Sequence, residues 1–265
     1  MTNAPSIAVT AGHAEALRTM HAGPQLLVLP NAWDAATARV FASAGFAALA
    51  TTSGGVANAL GFADHEQAPV DEMLAAAARI THAVAVPVTV DFEAGYRLAP
   101  AEIARRLIAA GAAGMNLEDS DHHSDAPLVD ADRHAERLSA VKAAARAEGV
   151  DLVLNARVDT FINRVGTSEE QLTEGIRRAR LYREAGADCI YPIILTDEHM
   201  IAEFVRAVGT INVMVRRGGP LSPAQASTLG VRRVTYATSL FRETMTALDE
   251  LAKDVHAQIP SPRAD

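Results

Sequence analysis

The chain has 265 residues, of which 49% are apolar and only 5% aromatic, so one large α/β domain or two small ones can form around a core of Ala, Val, Leu and Ile. A net charge of −8 argues against nucleic acid or an anionic membrane as partner, while a small anionic substrate can still meet a locally positive site. The single cysteine, Cys189, excludes a disulfide framework within the chain; no apolar run approaches the ~20 residues of a membrane span; and Met1-Thr2-Asn3-Ala4-Pro5 does not read as a signal peptide, which leaves a soluble cytoplasmic protein as the simplest reading.

In chain order, an N-terminal extension over residues 1–24 contains one helix-like stretch, His13–His21. The first strand–helix pair is Leu26–Leu29 with Asp34–Ala44, and the second is Ala47–Thr51 with Val70–Val84. Val86–Val90 precedes Pro100–Ala110, Gly114–Leu117 precedes Ala131–Glu148, and Leu152–Asn155 precedes Ser168–Ala185. The last three pairs are Cys189–Pro192 with Asp197–Val208, Ile211–Val215 with Ser222–Leu229, and Arg233–Tyr236 with Ser239–His256. Ser168-Glu169-Glu170-Gln171, Ser222-Pro223 and Pro100 carry helix-start signals, and Ala44-Gly45, Ala110-Gly111 and Ala185-Gly186 read as helix ends closed by glycine. Residues 257–265 read as a frayed tail.

Alternation of this kind builds a parallel sheet with right-handed crossovers, and eight units close most naturally into a (β/α)8 barrel spanning a single domain, residues 1–265. An open doubly wound sheet is the rival, weakened because no G-x-G-x-x-G follows the first strand. In a barrel the strand C-termini and their loops form the active face. Val88-Thr89-Val90 runs into Asp91-Phe92-Glu93, and Met115-Asn116-Leu117 runs into Glu118-Asp119. Asp91, Glu93 and Glu118 would crowd together at the sheet rim, and like charges so placed repel unless a cation lies between them. All-oxygen ligation points to a hard divalent metal, Mg²⁺ or alternatively Mn²⁺, held directly or through water. Ser53-Gly54-Gly55 offers a hydroxyl and open backbone N–H groups for a carboxylate, Arg157 offers a planar fork for another, and Asp64 is a substrate-orienting or acid/base candidate. Trp33, Asn212 and Arg216 stand at other strand exits as substrate-binding candidates.

The ordered stretches Leu29-Pro30-Asn31-Ala32-Trp33-Asp34, Thr52-Ser53-Gly54-Gly55 with Gly61-Phe62-Ala63-Asp64, Asp91-Phe92-Glu93-Ala94-Gly95-Tyr96, Asn116-Leu117-Glu118-Asp119-Ser120, Asn155-Ala156-Arg157-Val158-Asp159 and Glu184-Ala185-Gly186-Ala187-Asp188 resemble the isocitrate lyase / phosphoenolpyruvate mutase superfamily over residues 26–248. The resemblance implies a (β/α)8 barrel, Mg²⁺ dependence, and cleavage or formation of C–C or P–C bonds in small 2-oxo or 2-hydroxy acids. It also implies a homo-oligomer, dimer or tetramer, in which the last helix swaps between subunits. By the same resemblance Ser53, Gly54, Gly55, Asp91 and Arg157 bind substrate, while Asp91, Glu93 and Glu118 surround the metal.

The departures narrow the activity. Lyases of the family carry a Lys-Arg/Lys-Cys-Gly-His loop after the Glu-Asp strand, and the mutase and phosphonopyruvate hydrolase branches carry a Lys-rich loop with an Asn. Here the loop reads Ser120-Asp121-His122-His123-Ser124-Asp125-Ala126-Pro127-Leu128, without Cys or Lys. The family's Gly-Tyr-Gly is Gly95-Tyr96-Arg97, an aromatic before the Ser is Thr51, and Arg216-Arg217 stands where a small apolar stretch is expected. Oxaloacetate decarboxylase-type members do without the Cys, because CO₂ leaves without an acid. The sequence therefore favours an Mg²⁺-dependent lyase acting on a 2-oxo dicarboxylate such as oxaloacetate through an enolate, with Asp64, Asp91 and Arg157 as its catalytic set and the Arg pair on a distal carboxylate. A lyase on a substituted malate, a P–C bond enzyme, and a non-catalytic 2-oxo acid binder are the alternatives. Blander readings stand beside these: Asp119 and Asp159 as turn caps, His122-His123 as solvated loop residues, Arg216-Arg217 as a surface pair, Trp33 as packing at the barrel mouth, and Cys189 as a buried small hydrophobe.

Overall fold

A chain of parallel strands, each returned by a helix, leaves open only whether the sheet closes. The computed structural model describes residues 5–164 and 166–259. Most of the proposed tail, from residue 260, and the first four residues of the segment read for a signal peptide lie outside the described residues.

Leu27–Leu29 (β1) and Asn31–Ala32 (β2) are one strand interrupted at Pro30, which has no N–H to give a ladder. The next strands are Leu49–Thr51 (β3), Val88–Asp91 (β4), Gly114–Glu118 (β5), Val153–Val158 (β6), Cys189–Pro192 (β7), Asn212–Met214 (β8) and Arg233–Thr235 (β9). All pairings between these strands are parallel: β2-β3-β4-β5-β6-β7 on one side and β1-β9-β8 on the other. The Pro30 break joins the two sets at one seam. At the other, a parallel bridge between Ile190 and Ile211, with Ile190 N donating to Thr210 O at 3.1 Å, ties β7 to β8. The ring is the (β/α)8 barrel.

The helices are Ile7–Ala22 (α1), Ala35–Ser43 (α2), Ser53–Leu60 (α3), Val70–Thr81 (α4), Pro100–Ala109 (α5), Ala131–Ala147 (α6), Ser168–Glu184 (α7), Glu198–Val208 (α8), Pro223–Thr228 (α9) and Ser239–Ala257 (α10). Gly45, Gly111 and Gly186 have the left-handed φ of 93°, 77° and 100° that closes a helix end, as their positions predict. α1 starts well ahead of His13 because the Ser6 hydroxyl accepts from Val9 N. The start expected at Ser168 belongs to Thr167, which forms a capping box with Glu170.

One element escapes the sequence reading. Ser53-Gly54-Gly55, expected as an open loop, is the first turn of α3, capped by the Thr52 side chain. Two consecutive glycines weaken local helix propensity, and tertiary packing overrides it. A Cβ on Gly55 would lie 2.5 Å from Thr52 Cγ2 and 3.2 Å from Trp33 Cβ, so only glycine lets α3 sit this close to the barrel mouth.

Strand alternation sorts the side chains. Along β5, Met115 and Leu117 pack outward into the main apolar cluster with Leu107 of α5 and Leu138 of α6. Asn116 and Glu118 share the opposite face, toward the barrel axis and its C-terminal mouth. α10 contrasts with the others: none of its residues is buried, and Met245, Leu248, Leu251 and Val255 are 45–58% exposed along one stripe. Among the described residues no helix is long and apolar enough to cross a membrane.

Candidate active site

The C-terminal ends of the strands and the loops after them enclose a cavity of about 480 Å³. Ser53, Asp64, Asp91, Glu93, Glu118, Arg157 and Arg216 all line it, so seven residues singled out in the sequence converge there. Four others stand behind the wall. Trp33 is buried and meets Phe241 edge-on at 5.3 Å. Asn212 is fully buried and donates to Thr235 Oγ1 at 3.1 Å. Gly54 and Gly55 lie in the first turn of α3; a Cβ on Gly54 would come within 2.6 Å of Asp64 Oδ2.

Three of the acids in the cavity, Asp91, Glu93 and Glu118, are held by their own partners. Asp91 Oδ2 accepts from Ser53 N at 3.0 Å and Ser53 Oγ at 2.7 Å, and Oδ1 accepts from Asn116 Nδ2 at 3.1 Å. Glu93, at a left-handed φ of 48°, accepts from Glu66 N at 2.7 Å and from the Tyr96 hydroxyl. Burial pushes its carboxyl up to about 8 against those two donors, with Glu118 and Asp91 adding to the rise. Glu118 is likewise raised by burial, opposed by Arg157 and reinforced by Asp159, Asp91 and Asp64. Carboxylates driven this far toward protonation lack positive charge.

Arg157 is already engaged. Its Nε and Nη2 meet the two oxygens of Asp159 at 2.7 and 2.9 Å, and its Nη1 lies 2.5 Å from Glu118 Oε2, off the hydrogen-bond direction. The fork expected for a substrate carboxylate thus holds a carboxylate of the protein, with its edge still on the cavity. Asp159 is no turn cap: it is fully buried, bound to Arg157 and to Ser120 Oγ at 2.5 Å. Asp119 is also fully buried, accepting from Tyr182 OH at 2.6 Å, Arg178 Nη1 at 3.0 Å and Asp159 N at 2.9 Å.

The adjacent histidines differ from the solvated reading. His122 Nε2 is 2.6 Å from Glu118 Oε1 and its side chain is 11% exposed; His123 Nε2 is 2.6 Å from Glu66 Oε2. The loop after β5 turns back toward Glu118 and lines a pocket adjoining the cavity, and His65, a lining residue the sequence did not single out, stacks near His122 with ring centroids 5.2 Å apart. Arg216 lines the cavity, whereas Arg217 points to Glu243 on the surface at 3.3 Å. Thr52, Thr238 and Arg242, also unanticipated, reach the cavity from the α3 cap and the start of α10. Cys189 is buried, its thiol pushed up to about 12 by that burial.

Among the described residues, no three His, Cys, Asp or Glu side chains are grouped to hold a metal ion as direct ligands. The donor chemistry nevertheless fits a hydrated hard cation. Asp91, Glu93 and Glu118 supply oxygen only, are short of positive charge, and accept protein hydrogen bonds that leave lone pairs for water.

A (β/α)8 barrel with an acid-lined cavity at the C-terminal ends of its strands has the architecture of a barrel enzyme. The phosphoenolpyruvate phosphomutase family model matches residues 17–256, and the chain belongs to that family, within the isocitrate lyase / PEP mutase superfamily. An uncharacterised protein of Mycobacterium tuberculosis is 32% identical over 238 residues, covering 89% of this chain and 87% of its own length. The 2-methylisocitrate lyase of Escherichia coli is 31% identical over 175 residues, 62% of this chain and 56% of that one. Among solved structures, oxaloacetate acetylhydrolase in complex with the product oxalate is 25% identical, with a TM-score of 0.82 over 98% of this chain and 91% of that one. 2,3-Dimethylmalate lyase is 26% identical, with a TM-score of 0.83 over 96% and 89%.

Proposed function

We propose that this protein is an Mg²⁺-dependent lyase for a small 2-oxo dicarboxylate, with decarboxylation of oxaloacetate as its favoured reaction. The observation that carries the proposal is the acid set Asp91, Glu93 and Glu118 facing a cavity with Arg216 at its mouth, with Glu93 and Glu118 buried and raised toward protonation. Asp91, Glu93 and Glu118 would hold the cation, in part through water, and Mn²⁺ would serve as well. Bound there, the cation would supply Lewis-acid stabilisation for charge developing on a 2-oxo group.

The chain's own residues do the rest. Ser53 fixes Asp91 through two hydrogen bonds, and Gly54 and Gly55 behind it let the first turn of α3 pack closely on Asp64 and Trp33. Arg157, locked by Asp159, offers a rigid edge to the carboxylate next to the 2-oxo group. Arg216 receives the distal carboxylate, and Asp64, packed on Gly54, orients the substrate. Trp33 and Asn212 act from behind by holding α3 and Thr235 in place. In decarboxylation the C3–C4 bond breaks, its electron pair moves toward the 2-oxo oxygen as an enolate, and CO₂ leaves without a proton. That demand agrees with a loop lacking Cys and Lys.

The test is pyruvate formation from oxaloacetate with Mg²⁺ and then with EDTA, after subtracting the metal-only background. An enzyme-dependent rate that EDTA abolishes is expected. Absence of any rate above background would sink the decarboxylase reading, and a rate indifferent to EDTA would sink the metal.

We also propose that α10 packs on a second copy of the chain, giving a dimer or tetramer. Its exposed stripe of Met245, Leu248, Leu251 and Val255 has no partner within the described residues. Leu248→Glu with Leu251→Glu is expected to convert the oligomer to monomer by sedimentation. An unaltered protein that already sediments as a monomer would refute the packing.

A further inference from the structure

The barrel interior holds one charged side chain that the proposed chemistry does not use. Arg233, the first residue of β9, is fully buried and is the largest side chain to be so. Its Nε and Nη1 have no hydrogen-bond partner among the described residues, and its Nη2 makes one long bond, 3.4 Å, to Asn116 Oδ1. Neighbouring groups do not supply the missing anion. The Cys189 thiol and the Tyr191 hydroxyl are both pushed up to about 12 by burial, so both stay neutral, and His21 is pushed down to about 4 by burial and by Arg233 itself.

The bond to Asn116 has a direction. Asn116 Oδ1 also accepts from Asn155 Nδ2 at 2.8 Å. With its oxygen turned to these two donors, the amide presents Nδ2 to Asp91 Oδ1, 3.1 Å away. Arg233, Asn116 and Asp91 thus form a hydrogen-bonded chain from the barrel core to the cavity floor. That floor carries Asp64, Asp91, Glu93 and Glu118, while Arg157 is neutralised by Asp159 and Glu118. A fixed cation beneath such a floor, in surroundings poor in water, acts on charges above it more strongly than one at the surface. A buried guanidinium without a counter-ion also costs stability, and an apolar side chain of similar volume removes that cost. Burial indeed depresses the basicity of Arg233, with Cys189, Tyr191 and Asp91 opposing the shift.

We propose that Arg233 is a positioning residue, which fixes the Asn116 amide on Asp91 and supplies the buried positive charge that lets a dianionic 2-oxo acid bind above four carboxylates. The inference rests on the proposed function and adds to it a residue kept for ligand binding at the expense of the fold. The experiment compares the unaltered protein with Arg233→Met and Arg233→Lys in the presence of Mg²⁺. Calorimetry follows the binding of oxalate, a planar mimic of the 2-oxo carboxylate end, and thermal melts are recorded without ligand. Arg233→Met is expected to melt no lower than the unaltered protein while binding oxalate at least tenfold more weakly, and Arg233→Lys to recover most of the affinity.

A Met variant that fails to fold or melts several degrees lower would make Arg233 a structural residue and overturn the proposal. Oxalate affinity within twofold of the unaltered protein, or a Lys variant as weak as the Met variant, would overturn it as well. These outcomes leave the functional reading standing. An unaltered protein that does not bind oxalate overturns that reading, and this inference with it.

Discussion

Asp91→Ala is expected to lower enzyme-dependent turnover of oxaloacetate by about three orders of magnitude or more, with little change in the fold. Asp91 is the one acid of the cavity held by donors from two neighbouring elements, Ser53 at the start of α3 and Asn116 on β5. Its removal frees the Ser53 hydroxyl and the Asn116 amide and takes away the central member of the acid set. The loss must also be non-additive with metal removal. EDTA should abolish the unaltered enzyme's rate and leave the residual Asp91→Ala rate unchanged, because both act through one step. Residual activity of the variant that EDTA lowers a further hundredfold would place the cation elsewhere. A rate close to that of the unaltered enzyme would remove Asp91 from the mechanism.

The second large effect is on stability. Asp119→Ala is expected to cost about 3–5 kcal/mol, the usual penalty for taking one partner from a buried ion pair, and to lower the melting temperature by roughly 10 °C for a chain of this size. Asp119 and Glu118 are sequence neighbours with different work, because successive residues of a strand face opposite ways. Glu118 faces the cavity. Asp119 turns outward and joins Arg178 and Tyr182 of α7 to the backbone of Asp159. Burial raises its pKa, and Arg178 and Tyr182 oppose the rise, so the charge is held by partners on another element. The alanine would leave the 7% exposed Arg178 with only the partly exposed Glu174 as its carboxylate partner. It would also loosen the end of β6, which carries Arg157, so that turnover falls with stability. A melting shift below 2 °C would show that Asp119 is the turn cap its position allowed.

Asp119 also marks how far the sequence reaches. Eight strand–helix alternations, glycine-closed helix ends and acids at strand exits are local patterns, set by side-chain periodicity and backbone preference. They were enough to predict the barrel and to name Ser53, Asp64, Asp91, Glu93, Glu118, Arg157 and Arg216, all of which line one cavity. Ordered motifs carried the family, which the match over residues 17–256 shows.

What a side chain does once it reaches a strand end depends on which groups the fold packs against it, near or far along the chain, and only the tertiary structure decided it. Asp159 and Asp119 became buried partners of arginines because β6 and α7 bring those arginines to them. Ser53-Gly54-Gly55 became a helix because packing against Trp33 and Asp64 outweighs two poor helix formers. His122 left the solvent for Glu118, four residues back, once the loop after β5 turned back on the end of that strand. The bonds that set each role join residues as far apart as Arg233 and Asn116, 117 positions along the chain, and no local pattern records them. Arg233 did leave a trace, a charged residue directly before Val234 in a short apolar strand. Spacing alone could not tell whether it faced solvent or the barrel axis, because that depends on which way the closed sheet turns each side chain.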